Sequence, residues 1–163
     1  MGRWQISAVP ANWFFIPDFG LRHNSPTHPA SNITVKDDVL LAGSKLEPYI
    51  QAQIDILKGA YLEPVFAGPQ PTALVDSSLL GVHEAMMLII KHQPHAGAAV
   101  FQVQTYVRLD RWLGIITLTT LEQTLMSVRR DYEQFVRMLS IAPEEQATEQ
   151  QTTGRPESDG GAR

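Results

Sequence analysis

The chain has 163 residues and a mass of 18.1 kDa, enough for one domain and a tail. Hydrophobic residues make up 44%, charged residues 18%, and the formal net charge is −4, which excludes a wholly disordered chain and the broad basic surface of a nucleic-acid binder. Cysteine is absent, so disulfide scaffolds, thiolate zinc sites and thiol nucleophiles are excluded.

In chain order, Met1 to Ser7 holds one basic residue and no apolar run of signal-peptide length. Ile6 stands where a myristoylation motif at Gly2 needs Ser or Thr. Short β-rich runs follow at Trp13 to Ile16 and Ile33 to Val35. Ser44 and Glu47 have capping-box spacing, with Pro48 in the first turn, where a missing N–H does no harm. Leu46, Ile50, Ile54, Leu57 and Tyr61 then line one helical face. Gly59 and Pro64 predict an end near residue 60.

Strands are predicted at Thr72 to Val75, Val82 to Lys91, Val100 to Leu109 and Trp112 to Thr119. Asp110 and Arg111 alone separate the last two, which suits a tight hairpin, and His92 to Gly97 turns the preceding pair. A second helix is predicted from Glu122 to Ser140, with Thr119/Glu122 or Thr120/Gln123 as its capping box. Leu125, Val128, Tyr132, Phe135 and Leu139 form its apolar stripe, and Pro143 closes it. The order of elements predicts an α+β fold, a twisted antiparallel meander packed with two main helices.

Residues 1–142 are expected to form a single domain. Pro143 to Arg163 contains no Leu, Ile, Val, Met or aromatic residue and is expected to be a disordered polar tail. Its five acids against two arginines carry three of the four net negative charges.

The most informative pattern lies in the last strands. With Leu109 opposite Trp112, Phe101, Val103, Thr105 and Val107 share an apolar face with Gly114, Ile116 and Leu118, suited to a helix. The opposite face is mixed. Val100, Gln102, Gln104, Tyr106 and Arg108 lie there beside Leu113, Ile115, Thr117 and Thr119. In the neighbouring strand, Met86 to Ile90 are apolar at both parities, unlike a sheet solvated on one side. Either the first helix or the segment with Trp13, Phe14 and Phe15 covers this second face, or part of it is a groove for an apolar partner or a dimer interface. Met87, Ile89, Val100, Gln102, Gln104, Tyr106, Leu113, Ile115 and Thr117 are the partner-binding candidates.

Catalytic and metal patterns are missing. The five histidines lack zincin spacing, and His92 and His95 read as surface imidazoles. No nucleophile elbow, Walker loop or Rossmann fingerprint occurs. Asp37 and Asp38 are adjacent, so in a strand they point to opposite faces and form no carboxylate pair. Arg108, Asp110 and Arg111 read as a solvated charge group at a hairpin tip. No enzyme activity, cofactor, metal or nucleic acid is expected. The longest mid-chain apolar stretch, Ala85 to Ile90, is far short of the ~20 residues a spanning helix needs, so no stable membrane insertion is expected.

Asn32-Ile-Thr-Val-Lys-Asp-Asp-Val-Leu-Leu41, leading into Leu46-Glu-Pro-Tyr-Ile-Gln-Ala-Gln-Ile54, and Val100-Phe-Gln-Val-Gln-Thr-Tyr-Val107 followed by Gly114-Ile-Ile-Thr-Leu-Thr119, resemble the PsbP-like fold shared by DcrB-type proteins and the EagR chaperones of type VI secretion. The resemblance spans roughly residues 5–141. DcrB proteins are envelope lipoproteins; with neither signal nor lipidation cysteine, a cytoplasmic relative is expected here. Resemblance to the EagR chaperones implies a homodimer that shields hydrophobic transmembrane helices of a secreted toxin. Two other expectations remain open: an assembly subunit whose second face is permanently covered, and a protein enclosing a small apolar ligand.

Overall fold

The computed structural model describes residues 4–6, 8–16, 20–24, 31–75, 84–94 and 97–141. Its elements there are β1 (Trp4–Ile6), β2 (Trp13–Ile16), β3 (Gly20–His23), β4 (Asn32–Val39), α1 (Leu46–Ala60), β5 (Leu62–Pro71), β6 (Glu84–Gln93), β7 (Val100–Leu109), β8 (Trp112–Leu121), α2 (Leu125–Met138) and β9 (Leu139–Ile141). The expected tail lies outside the described residues.

Two meanders, β2-β3-β4 and β5-β6-β7-β8, join along β4 and β8 into one seven-stranded antiparallel sheet of order β2-β3-β4-β8-β7-β6-β5. Leu109 pairs with Trp112 across the two-residue turn, where Asp110 takes φ of 55°, a left-handed conformation that a short polar side chain tolerates. β1 pairs with β9 in a separate ribbon. One helix lies on each face, and the class is α+β.

The apolar stripe of α2 meets the face predicted for it. Val128, Tyr132, Phe135 and Val136 pack with Val103, Val107, Ile116 and Leu118, joined by Trp4, Trp13, Leu21, Ile33 and Val35. Tyr132 is fully buried, and burial raises its pKa. Its hydroxyl donates to the Ile116 carbonyl at 3.1 Å and accepts from Thr105 at 2.7 Å, so neither buried polar group is orphaned. On the other face, Leu46, Ile50 and Ile54 of α1 pack on Met86, Leu88, Ile90, Tyr106 and Leu113. Full burial of each such aliphatic contributes on the order of 1.5–3 kcal/mol.

Several local expectations give way to tertiary structure. The Ser44 capping box does not form: Lys45 is the N-cap and no side chain caps from it. Glu84 supplies the acceptor instead, its Oε2 lying 3.3 Å from the Leu46 N–H and 3.3 Å from Arg108 Nε. Thr119 and Thr120 do not cap the second helix, because both still belong to β8. The Thr120 hydroxyl is 2.7 Å from each of the Ser31 and Thr124 hydroxyls.

The predicted strand Thr72 to Val75 is absent. The strand after α1 is β5, which includes Pro64, Pro69 and Pro71. It is tolerated because β5 is an edge that pairs only with β6 and shifts register twice, and a proline there costs no interior ladder bond. Gly68, at a φ of 100°, lies at the second shift, where a Cβ would come within 2.7 Å of the Met87 carbonyl oxygen. β1, β3 and β9 are short strands that periodicity did not mark. The second helix ends at Met138, so Leu139 enters the core from β9.

Candidate functional site

Among the described residues, the second sheet face is neither fully covered nor fully open. α1 lies over the β5–β6 side, where apolar Met86, Leu88 and Ile90 meet its stripe. Among the described residues, the N-terminal segment does not cover the rest; β2 and β3 extend the sheet edge instead. Among the described residues, the β7–β8–β4 region beside α1 forms a groove of about 320 Å³.

Register explains its chemistry. Gln104, Thr117 and Thr34 lie in one cross-strand row, Gln102, Thr119 and Asn32 in the next, and Tyr106, Ile115 and Lys36 in the row on the other side. Gln53 and Tyr61, from α1 and its C-terminal end, make the wall. Tyr106 is 2% exposed, and burial pushes its pKa up, so its hydroxyl stays protonated and donates to Gln104 Oε1. Gln104 Nε2 donates to Gln102 Oε1 at 3.5 Å, and Gln102 Nε2 to the Tyr61 hydroxyl at 3.3 Å. The Tyr61 ring stacks on His92 at 3.9 Å and 10°. Burial lowers the His92 pKa, so this imidazole is a neutral, half-buried stacking partner and not the surface group expected.

Fold comparison places this arrangement among known structures. No protein-family model matches the chain, and no curated protein matches it in sequence. Its structure is similar to that of LpqN, involved in cell envelope biogenesis of Mycobacterium tuberculosis, with a TM-score of 0.62, 16% identity, and coverage of 86% of this chain and 83% of that one. A Pseudomonas aeruginosa protein of unknown function, described as a putative regulator, gives 0.61 at 15% identity, covering 87% of this chain and 99% of its own. The cyanobacterial PsbP protein CyanoP from Synechocystis gives 0.52 at 8% identity, with 86% and 94% covered.

The fold is PsbP-like. On this PsbP-like sheet, five of the candidates, Gln102, Gln104, Tyr106, Ile115 and Thr117, line the groove. Met87 and Ile89 do not. They pair with Thr105 and Val103 and pack with the α2-side core, because a strand apolar at both parities gives alternation nothing to choose between. Leu113 is fully buried in the α1-side core. Val100 is half-buried at the end of β7, opposite His92 and Leu121, and is not among the groove's lining residues.

Thr34, Lys36, Gln53 and Tyr61 escaped the sequence reading of the groove. The β4 pair was legible only through the alternation of Thr34 and Lys36 once β4 is placed beside β8. Gln53 and Tyr61 depend on where α1 lands. Asp37 and Asp38 point to opposite faces as expected: Asp38 accepts from the Tyr49 hydroxyl at 2.6 Å, whereas Asp37 lies by Trp112 and Trp4. Asp110 and Arg111 are exposed at the hairpin tip as expected, Arg111 also donating to the Leu40 carbonyl at 3.4 Å, whereas Arg108 is partly buried and paired with Glu84.

Proposed function

We propose that this protein is a non-enzymatic chaperone or adaptor of the EagR type, which holds a hydrophobic, transmembrane-type helix of a secreted effector in the cytoplasm before export by a type VI secretion system, and acts as a homodimer. The observation that carries the reading is the open half of the second sheet face beside α1. Strands β8, β4, β3 and β2 span roughly 14 Å, against about 10 Å for an α-helix. α1 already packs on this face through Leu46, Ile50 and Ile54, so a client helix beside it extends an existing mode of packing.

The lining suits such a guest. Ile115, the aromatic edge of Tyr61, and Phe14 on β2, 44% exposed, offer apolar contact in place of lipid. A spanning helix satisfies its own backbone, but its occasional polar side chains need partners, and Gln102, Gln104 and Thr117 are placed to provide them. Ile56, Leu62 and Val65, all exposed where α1 meets β5, support the dimer. No helix among the described residues is long and apolar enough to cross a membrane.

The test is co-expression of the full chain with apolar helices, followed by pull-down and size-exclusion chromatography with light scattering. Ile115 is only half-buried, so Ile115→Glu is expected to stay folded by circular dichroism and to lose the captured helix. If wild-type protein holds no helix and Ile115→Glu unfolds, the face is core and the protein is a fixed assembly subunit.

A further inference from the structure

The groove is chemically one-sided. Among its ten lining residues Lys36 is a cation and none is a carboxylate, although the chain as a whole carries −4. The amide ladder places neutral donors beside this cation. Both glutamine oxygens already accept hydrogen bonds within it, while each amide nitrogen keeps a second N–H and Tyr61 keeps its own O–H to donate. Lys36 adds an ammonium with three donors and makes no ion pair among the described residues. Its neighbours on the face are Ile115 directly opposite, the Thr34 and Thr117 hydroxyls in one flanking row, and Leu113 and Asp38 in the other, where the Asp38 carboxylate accepts from the Tyr49 hydroxyl at 2.6 Å and is not paired with Lys36. The one formal charge among these lining residues is therefore positive.

We propose that the groove recognises a carboxylate carried by the client helix, seated on the Lys36 ammonium with the Thr34 and Thr117 hydroxyls as further donors. The inference rests on the helix-holding function proposed above and names the feature by which the client is selected. A carboxylate accepts hydrogen bonds without donating any, and within an apolar helix it is costly unless paired. A lysine–carboxylate contact flanked by hydroxyls supplies that pairing as a charge-assisted hydrogen bond. The helix is the source because the strip is open: an exposed ion pair holds a free small anion weakly, whereas a helix packed over Ile115 excludes water from it.

The experiment co-expresses the full chain with one apolar helix made in three versions, bearing Leu, Gln or Glu at its centre, and measures dissociation of each complex. The Glu helix is expected to be held at least about tenfold longer than the Leu helix. Lys36→Met is expected to bring the Glu-to-Leu retention ratio down to about one, while Lys36→Arg restores it. Lys36 is exposed, and thermal melts check that each variant is folded. The proposal is overturned if the three helices are held alike, or if Lys36→Met weakens all three equally. If none is held, the helix-holding function itself fails. Glutarate, titrated calorimetrically, separates the sources: Lys36-dependent binding of glutarate without any preference among helices makes the ligand a small dicarboxylate and overturns the helix-borne source.

Discussion

Gly114 shows how one residue sets the packing of distant ones. It sits in β8 opposite Val107 and Asp37, and a Cβ there would collide with the rings of Trp4 and Trp112. Those rings meet edge to face at 5.1 Å, which ties the β1–β9 ribbon to the main sheet. Their indole groups also lie against Asp37. Burial raises the pKa of that carboxyl, partly offset by the two indole N–H groups. Gly114→Ala is therefore expected to displace Trp4 and destabilise the protein by about 1–3 kcal/mol. Urea unfolding measures the loss, and a changed near-ultraviolet circular dichroism signal locates it at the tryptophans. In the sequence this position was legible only as a member of the apolar face; the demand for glycine arises from Trp4, more than a hundred residues away in the chain.

At the scale of elements, α1 forms from its own stripe but is positioned by the sheet. Its first N–H groups lack a local acceptor, and Glu84 reaches across from β6 to Leu46, held by Arg108. A negative group at this end also opposes the positive pole of the helix. Glu84→Gln is expected to cost about 0.5–2 kcal/mol, read as a lower urea midpoint with an unchanged slope. Ser44→Ala, which removes the hydroxyl of a cap that does not form, should change little beside it. The β7–β8 register was legible because a two-residue turn leaves one pairing. The facing of β6 was not, because Met86 to Ile90 are apolar throughout, and Met87 and Ile89 fell on the wrong side. β5 was hidden for the opposite reason: its prolines read as loop, and only its place at the sheet edge makes them acceptable.

Across the whole molecule, the sheet is strongest at its centre. β8 is bonded on both sides from Trp112 to Thr119, by β4 and β7, and carries side chains of both cores. The β1–β9 ribbon has three residue pairs, and β5 is an interrupted edge. Hydrogen exchange is expected to be slowest at β8 and β7 and fastest at β1, β9 and β5, since open edges exchange without global unfolding. Equal protection of β5 and β8 would contradict that order.

The amino-acid pattern by itself determined the α+β class, the stripes of both helices, the closing hairpin and the existence of a second, mixed sheet face. Each of these rests on neighbours a few residues apart or on one tight turn. Only the tertiary structure decided that α1 covers half of that face, that β4 completes the groove with Thr34 and Lys36, and that Met87 and Ile89 lie behind it. The physical reason is that periodicity reports which side chains share a face. What lies over that face depends on contacts such as Thr34 with Thr117, closed between segments far apart in the chain.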